Sequence, residues 1–221
     1  MKLFLEAIVK FTCGLLLVGL LIFLPAGTLA YSYGWLLIGL LFGPMLIAGF
    51  VMLAKSPDFL KKRLDVKEKQ ATQKGVVAYA GLMFIAGFVV AGLDYRFGWS
   101  NMPQWVTIAA SVLFLVSYAL YAEVMRENAY LSRTIKVEEG QKVVDTGLYG
   151  VVRHPMYAVT ILLFMAMPLV LGSWYALIAF AFYPAIIIVR LKDEENLLTR
   201  ELPGYDVYKQ KVKYRIIPFI W

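Results

Sequence analysis

The chain has 221 residues, 61% of them hydrophobic and 17% charged, with a mean hydropathy of +0.69 and a formal net charge of +7. An ordinary soluble domain is about 45–50% apolar and about 25% charged, so that class is excluded, and a single cysteine excludes an intramolecular disulfide. The cations form no basic stripe interleaved with aromatics on a soluble module, which argues against a nucleic-acid partner.

Crossing a bilayer as a helix takes about 20 apolar residues. Four blocks reach that length, at 8–26, 33–54, 75–93 and 105–125. The first loosely resembles a secretory signal ending at Thr28-Leu29-Ala30, but Glu6 and Lys10 interrupt it early, so a retained first helix is expected. Cys13, inside that helix, is expected to be a buried packing thiol. Tyr31, Tyr33 and Trp35 lie at the start of the second block, and Tyr95, Trp99 and Trp105 lie in or beside the 94–104 turn. Such residues favour the headgroup level, so they are expected to anchor the outer interface. The connector at 55–74 mixes seven cations with Asp58, Asp65 and Glu68. It reads as a solvated link, with contact to anionic headgroups as the alternative.

Two shorter blocks, 158–171 and 174–189, are separated only by Gly172-Ser173, with Trp174 and Tyr175 just after the turn. At 1.5 Å per residue they reach roughly 21–24 Å, short of a core roughly 30 Å thick. They read as a tight hairpin completed by flanking residues or local thinning, or as a buried hairpin that never fully crosses. With six segments, almost every cation falls on one face: the turns at 27–32 and 172–173 carry none, and 94–104 carries only Arg96. The positive-inside rule assigns that face and both termini to the cytoplasm. The expected fold is all-α, a polytopic membrane bundle of about five to six transmembrane helices. Residues 1–125 form its N-terminal helices and 126–221 a second region; no internal repeat or low-complexity tract is present.

Polar chemistry concentrates in that second region. The loop at 126–157 exceeds a minimal connector and carries Asn128, Arg133, Lys136, Gln141, Asp145 and Thr146 before the only histidine, His154. Pro155 restricts His154 away from the α region and suits the first turn of a helix starting there. Free N–H groups at that start can bind a carboxylate or phosphate. Arg190 and Glu194, four apart, share a helical face and offer an anion binder beside a cation binder. Taken singly, a helix-end ion pair is the plainer reading of these two, and a hydrogen-bonded structural role that of His154. No metal is expected, because no paired-ligand spacing surrounds His154, and no nucleophile motif accompanies the nearby Ser or Cys residues.

Joined together, Asp145-Thr146-Gly147-Leu148-Tyr149, Val152-Arg153-His154-Pro155-Met156-Tyr157, Glu194-Glu195, and Gly204-Tyr205 with Tyr208 resemble the isoprenylcysteine carboxyl methyltransferase family. These are integral-membrane enzymes that use S-adenosylmethionine, related to the membrane phospholipid N-methyltransferases. The resemblance covers about 120–221 and implies that Tyr149, His154, Pro155, Met156 and Tyr157 line the cofactor pocket. It further implies an approach strand at Gln141 to Val144, a cofactor-holding Glu194, an acceptor-side Arg190 and an assisting Glu195, with a polar contact near Thr134. Leu148 stands where relatives often carry Pro. A C-terminal lid bearing Tyr205, Tyr208 and Tyr214 is expected over the pocket.

The implied reaction is methyl transfer to a lipophilic acceptor entering laterally from the bilayer, an isoprenylcysteine-type carboxylate that needs no deprotonation at neutral pH. An amine acceptor would require a base, for which Glu195 or His154 are candidates. The alternatives are phospholipid-amine or small-thiol methylation, and an NADPH-dependent sterol-reductase-like enzyme with a similar C-terminal bundle. Transport is disfavoured because the apolar blocks are almost empty of charge, with Lys10 and Glu123 near their ends. The expected location is a prokaryotic inner membrane, with the site facing the cytoplasm.

Overall fold

The computed structural model describes residues 2–65, 71–132 and 134–221; Glu68 and Arg133, named above, lie outside the described residues. Its helices are α1 (Lys2–Ala26), α2 (Ser32–Lys55), α3 (Pro57–Leu64), α4 (Ala71–Phe97), α5 (Gln104–Glu127), α6 (Pro155–Val170), α7 (Trp174–Phe180), α8 (Tyr183–Glu201) and α9 (Tyr205–Lys211). Among the described residues there is no strand. The segment expected to approach the pocket as a strand, Gln141 to Val144, is irregular: Gln141 N–H donates to the Glu138 carbonyl at 3.0 Å, closing a turn just before it.

Among the described residues, five helical segments are long and apolar enough to cross a membrane: α1, α2, α4, α5, and the arm Trp174–Glu201 that contains α7 and α8. That arm is 28 residues long, well beyond the 174–189 read from hydropathy alone, because the helix continues past its apolar part into the polar site. Its partner α6 has 16 residues, about 24 Å, still shorter than a core of about 30 Å.

The bundle closes by small-residue contact and aromatic packing. α1 and α4 approach so nearly at Gly92 that an added Cβ would lie 2.4 Å from the Ile22 carbonyl oxygen. Deeper in, Phe84 of α4 meets Phe164 edge-on at 4.9 Å, and Phe164 meets Tyr183 of α8 at 4.7 Å. Cys13, expected to be buried, is exposed on the outside of α1, where its small apolar thiol faces the surroundings of the bundle.

The two ends differ. At one end Tyr31 is 1% exposed, so it is not an interface anchor. Its hydroxyl donates to the Leu171 carbonyl and its ring stacks on Tyr95 at 4.2 Å, which ties the first interhelical turn to the hairpin turn. Beside it, buried Asp94 accepts from Ser100 N–H and Oγ at 2.6 Å each and from Ser173 Oγ. A buried carboxylate persists only when its oxygens are occupied in this way. Ser173 Oγ in turn accepts from Ala176 N–H at 3.0 Å, capping α7. Trp35, Trp99, Trp105 and Trp174 are exposed at this end, as expected of interfacial aromatics.

At the other end the expected solvated connector is partly helical. α3 docks across the bundle: Lys10 Nζ donates to the Leu64 carbonyl at 2.7 Å, Lys62 pairs with Glu138 at 2.5 Å, and Arg63 donates to the Tyr121 hydroxyl.

Candidate functional site

The polar end of the bundle holds a cavity with about 830 Å³ of atom-free space, its open mouth included. Three pieces of chain build the walls. The loop after α5 supplies Asn128, Ser132, Thr134, Gln141 and Val144; the start of α6 supplies His154, Met156 and Tyr157; α8 and α9 supply Arg190, Glu194, Leu198, Tyr205 and Tyr208.

Each piece is positioned for a local reason. Pro155 opens α6, and His154 sits before it with φ −126° and ψ 62°, the non-helical conformation a residue preceding proline adopts. The helix start is largely closed by its own backbone: the N–H groups of Tyr157 and Ala158 donate to the His154 carbonyl at 3.0 and 3.2 Å. The free-amide anion site expected there is therefore reduced. Upstream, a 3₁₀ turn over Gly147–Gly150 presents Tyr149 to the cavity. Glu127, the last residue of α5, accepts from Leu148 N–H with both oxygens, at 3.1 and 2.9 Å. Leucine in place of proline at 148 is thus put to use, since proline has no N–H to give. Gly147 is held at φ +53°, and a Cβ there would lie 1.6 Å from Glu127 Oε1.

On α8, Arg190, Glu194 and Leu198 repeat every four residues and all line the cavity. Glu195 is rotated by about 100° from Glu194, and it does not line the cavity. It is buried in an ionic knot, with Arg153 Nε at 2.7 Å, Arg215 Nε at 2.8 Å and His154 Nε2 at 3.4 Å. Two adjacent carboxylates thereby have different surroundings. Glu194 Oε2 stands 3.8 Å from His154 Nδ1 and is buried without a hydrogen-bond partner. The Tyr205 hydroxyl is also buried without one.

Arg190, read from the sequence as a possible partner of Glu194, has its Nε on the Tyr157 hydroxyl at 3.1 Å and its Nη1 on Gln73 Oε1 at 3.1 Å. Gln73 is fully buried and also donates from Nε2 to Asp193 Oδ2 at 2.9 Å. Nothing in the sequence marked Gln73, which lies in α4, far from the motif. Arg153 was visible in the motif without a role. Its Nη1 donates to the Val212 and Lys213 carbonyls at 2.8 Å each, and its N–H to the Tyr214 carbonyl at 2.9 Å. The tail after α9 is thereby folded back against the site. Tyr208 closes the same wall, donating to the Tyr149 carbonyl at 2.7 Å.

Burial and the nearby Glu195 and Glu194 carboxylates push the Tyr205 phenol well above its ordinary pKa, so it stays a neutral donor. Burial does the same for Tyr149 and Tyr208. The arrangement therefore offers unengaged acceptor and donor groups, aromatic walls, and a guanidinium fixed from two directions. Among the described residues, no group of three or more His, Cys, Asp or Glu side chains is arranged to hold a metal.

Residues 105–204 match the phospholipid methyltransferase family, integral-membrane methyltransferases related to the isoprenylcysteine carboxyl methyltransferases. Delta(14)-sterol reductase TM7SF2 of Mus musculus is 30% identical over 91 residues, covering 40% of this chain and 22% of that protein. The uncharacterized protein YpbQ of Bacillus subtilis is 32% identical over 95 residues, covering 42% of this chain and 56% of its own. The chain thus spans about a fifth and rather over half of the lengths of these two curated relatives.

Proposed function

We propose that this chain, whose residues 105–204 match a membrane methyltransferase family, transfers the methyl group of S-adenosylmethionine to a lipophilic acceptor, an isoprenylcysteine-type carboxylate. The observation that carries the reading is Glu194. Its Oε2 is buried in a cavity wall without a hydrogen-bond partner, 3.8 Å from His154 Nδ1 and one helical turn from Arg190 on the same face. A buried carboxylate oxygen left unpaired is costly unless a ligand supplies the donor.

The residues present fit the cofactor. Glu194 would take its ammonium or ribose hydroxyls and the Tyr205 hydroxyl a second polar group. Tyr149, Tyr208 and Met156 would pack its flat adenine, and Gln141 and Val144 would flank the mouth. Bound there, it supplies a methyl group made electrophilic by a sulfonium centre. The protein's own task is to orient and to exclude water. Arg190, held by Tyr157 and Gln73, would fix an anionic acceptor beside the cavity. A carboxylate acceptor arrives already ionised, so no base is needed, and Glu195 is assigned a positioning part, holding Arg153 and His154 in place. The acceptor's chain would enter from the bilayer between helices. The cation-rich end is assigned to the cytoplasm of a prokaryotic cell.

The local likeness to a sterol reductase favours a second reading, in which the same cavity holds a reduced nicotinamide cofactor. Phospholipid-amine or small-thiol methylation differs from the first reading only in acceptor. Calorimetric titration of S-adenosylmethionine and S-adenosylhomocysteine into nanodisc-embedded protein separates these cofactor classes. The expected result is binding by the wild type, at least about tenfold weaker binding by Glu194→Ala, the loss of one charged hydrogen bond, and weaker binding by His154→Ala, whose ring lines the same cavity. A folded wild type that binds reduced nicotinamide and neither sulfur ligand sinks the methyltransferase reading.

A further inference from the structure

Residues 217–221 form a tight turn. Ile216 and Ile217 N–H groups both donate to the Trp221 carbonyl at 2.9 Å, and Trp221 N–H donates to the Ile217 carbonyl at 3.0 Å. Phe219 has φ 64°, and it is the one non-glycine residue at positive φ among the described residues. That conformation is unfavourable for a bulky side chain. Here it turns Phe219 and Ile220 outward, 85% and 77% exposed, next to exposed Ile217. The flanking residues point the other way. Ile216 belongs to the buried core with Tyr157, Tyr183 and Ile187, Trp221 packs against that core, and the Arg215 guanidinium lies 5.3 Å from the Trp221 ring.

The depth of this turn follows from α6. Arg153 and His154, just before α6, donate their N–H groups to the Tyr214 and Arg215 carbonyls at 2.9 Å, so the tail runs beside the start of that helix. α6 has 16 residues, about 24 Å, against a hydrocarbon core of about 30 Å. Its far end meets the hairpin turn, where exposed Trp174 and Tyr175 mark the opposite boundary. The start of α6, and the tail beside it, therefore lie at the near hydrocarbon boundary and not beyond it in water. Exposed Lys213 just before the turn suits anionic headgroups at that level.

We propose that 217–220 is an interfacial anchor: Ile217, Phe219 and Ile220 insert at the headgroup–acyl boundary of the near leaflet. The anchor fastens to the membrane the same tail whose carbonyls Arg153 holds and whose Arg215 grips Glu195. Insertion does not depend on the methyltransferase reading; only its consequence for that reaction does.

A nitroxide on Phe219→Cys, or separately Ile220→Cys, in a Cys13→Ser background tests the insertion in nanodiscs of phosphatidylcholine and phosphatidylglycerol. Reference labels go at exposed Gln210→Cys of α9 and exposed Leu16→Cys within α1. The expected signature is collision with oxygen exceeding collision with a water-soluble nickel chelate, at a depth between the two references. Nickel access at both 219 and 220 equal to that at 210 would overturn the proposal. Phe219→Asp/Ile220→Asp then tests the fastening by amide hydrogen exchange over 212–216. Exchange should accelerate by about tenfold or more, as for local opening; unchanged protection there would overturn the link to the site. Neither readout involves a cofactor or acceptor, so the anchor and the methyltransferase reading fail separately.

Discussion

Gln73 Oε1 accepts from Arg190 Nη1 at 3.1 Å, joining residues 117 positions apart in the chain. Gln73 Nε2 reaches Asp193 at 2.9 Å and Tyr157 takes Arg190 Nε at 3.1 Å, so the guanidinium is held between α4, α6 and α8. α4 lies outside the family match, yet its Gln73 holds the Arg190 guanidinium.

Gln73→Ala is expected to lower methyl transfer to a prenylcysteine carboxylate by about tenfold or more. A hydrogen bond to a charged group contributes about 1.5–3 kcal/mol, and about 1.4 kcal/mol is tenfold in rate. S-adenosylhomocysteine affinity should stay within about twofold, because Gln73 does not line the cavity. Parallel loss of rate and cofactor affinity would assign Gln73 to the fold and not to Arg190.

The neighbouring glutamates should separate cleanly. Glu195→Ala strips the counter-charge from buried Arg153 and should cost about 3–5 kcal/mol, read as a lowered unfolding midpoint. Glu194→Ala removes an oxygen that already lacks a hydrogen-bond partner, so stability should hold while cofactor binding is lost. Similar destabilisation by the two variants would contradict the divergent surroundings assigned to them.

Two substitutions test the hinge between α5 and the cavity. Gly147→Ala forces an L side chain into left-handed backbone, costing about 1–2 kcal/mol before Glu127 is displaced. Leu148→Pro deletes the N–H that Glu127 receives, and leaves that carboxylate short of a donor. Chemical unfolding of Leu148→Pro, Glu127→Gln and the double variant should give non-additive losses, since the two sites share one interaction.

Asp145 and Lys211 tie the loop to α9, with Nζ 2.7 Å from Oδ2. The hydrogen bond from Lys211, then its charge, hold the Asp145 carboxyl below its ordinary range. A lowered folded pKa means the unfolded chain binds the proton first on acidification. The contribution is therefore fully present above the unfolded value of about 3.9 and is lost as pH falls through the lower folded value. The stability difference between wild type and Lys211→Met should be small, flat from about pH 7 to 5, and shrink as pH falls below about 3.9. A difference that grows on acidification would carry the wrong sign.

Much of this protein was legible along the chain because its information is local. Runs of apolar residues set the four long helices to within about a turn at their ends, except that α1 begins six residues before its apolar run, and the hairpin turn at Gly172-Ser173 was visible as a break in one such run. Pro155 and His154 set the start of α6 through backbone sterics alone. The resemblance gathered Gln141, Val144, Tyr149, His154, Pro155, Met156, Tyr157, Arg190 and Glu194; all but Pro155 line one cavity, since Pro155 is buried where it opens α6. What the chain could not decide was the rotational phase of α8. One step of about 100° separates Glu194, facing the cavity, from Glu195, locked on Arg153 and Arg215. That phase is set by packing against α6 and the returning tail. The same holds for Tyr31, Asp94, Gln73 and Leu148, whose roles are defined by partners on other elements. Hydropathy and helical period act within a few residues, so they place helices; hydrogen bonds and charge pairs between distant segments form only once the bundle closes, and these assign the side chains their work.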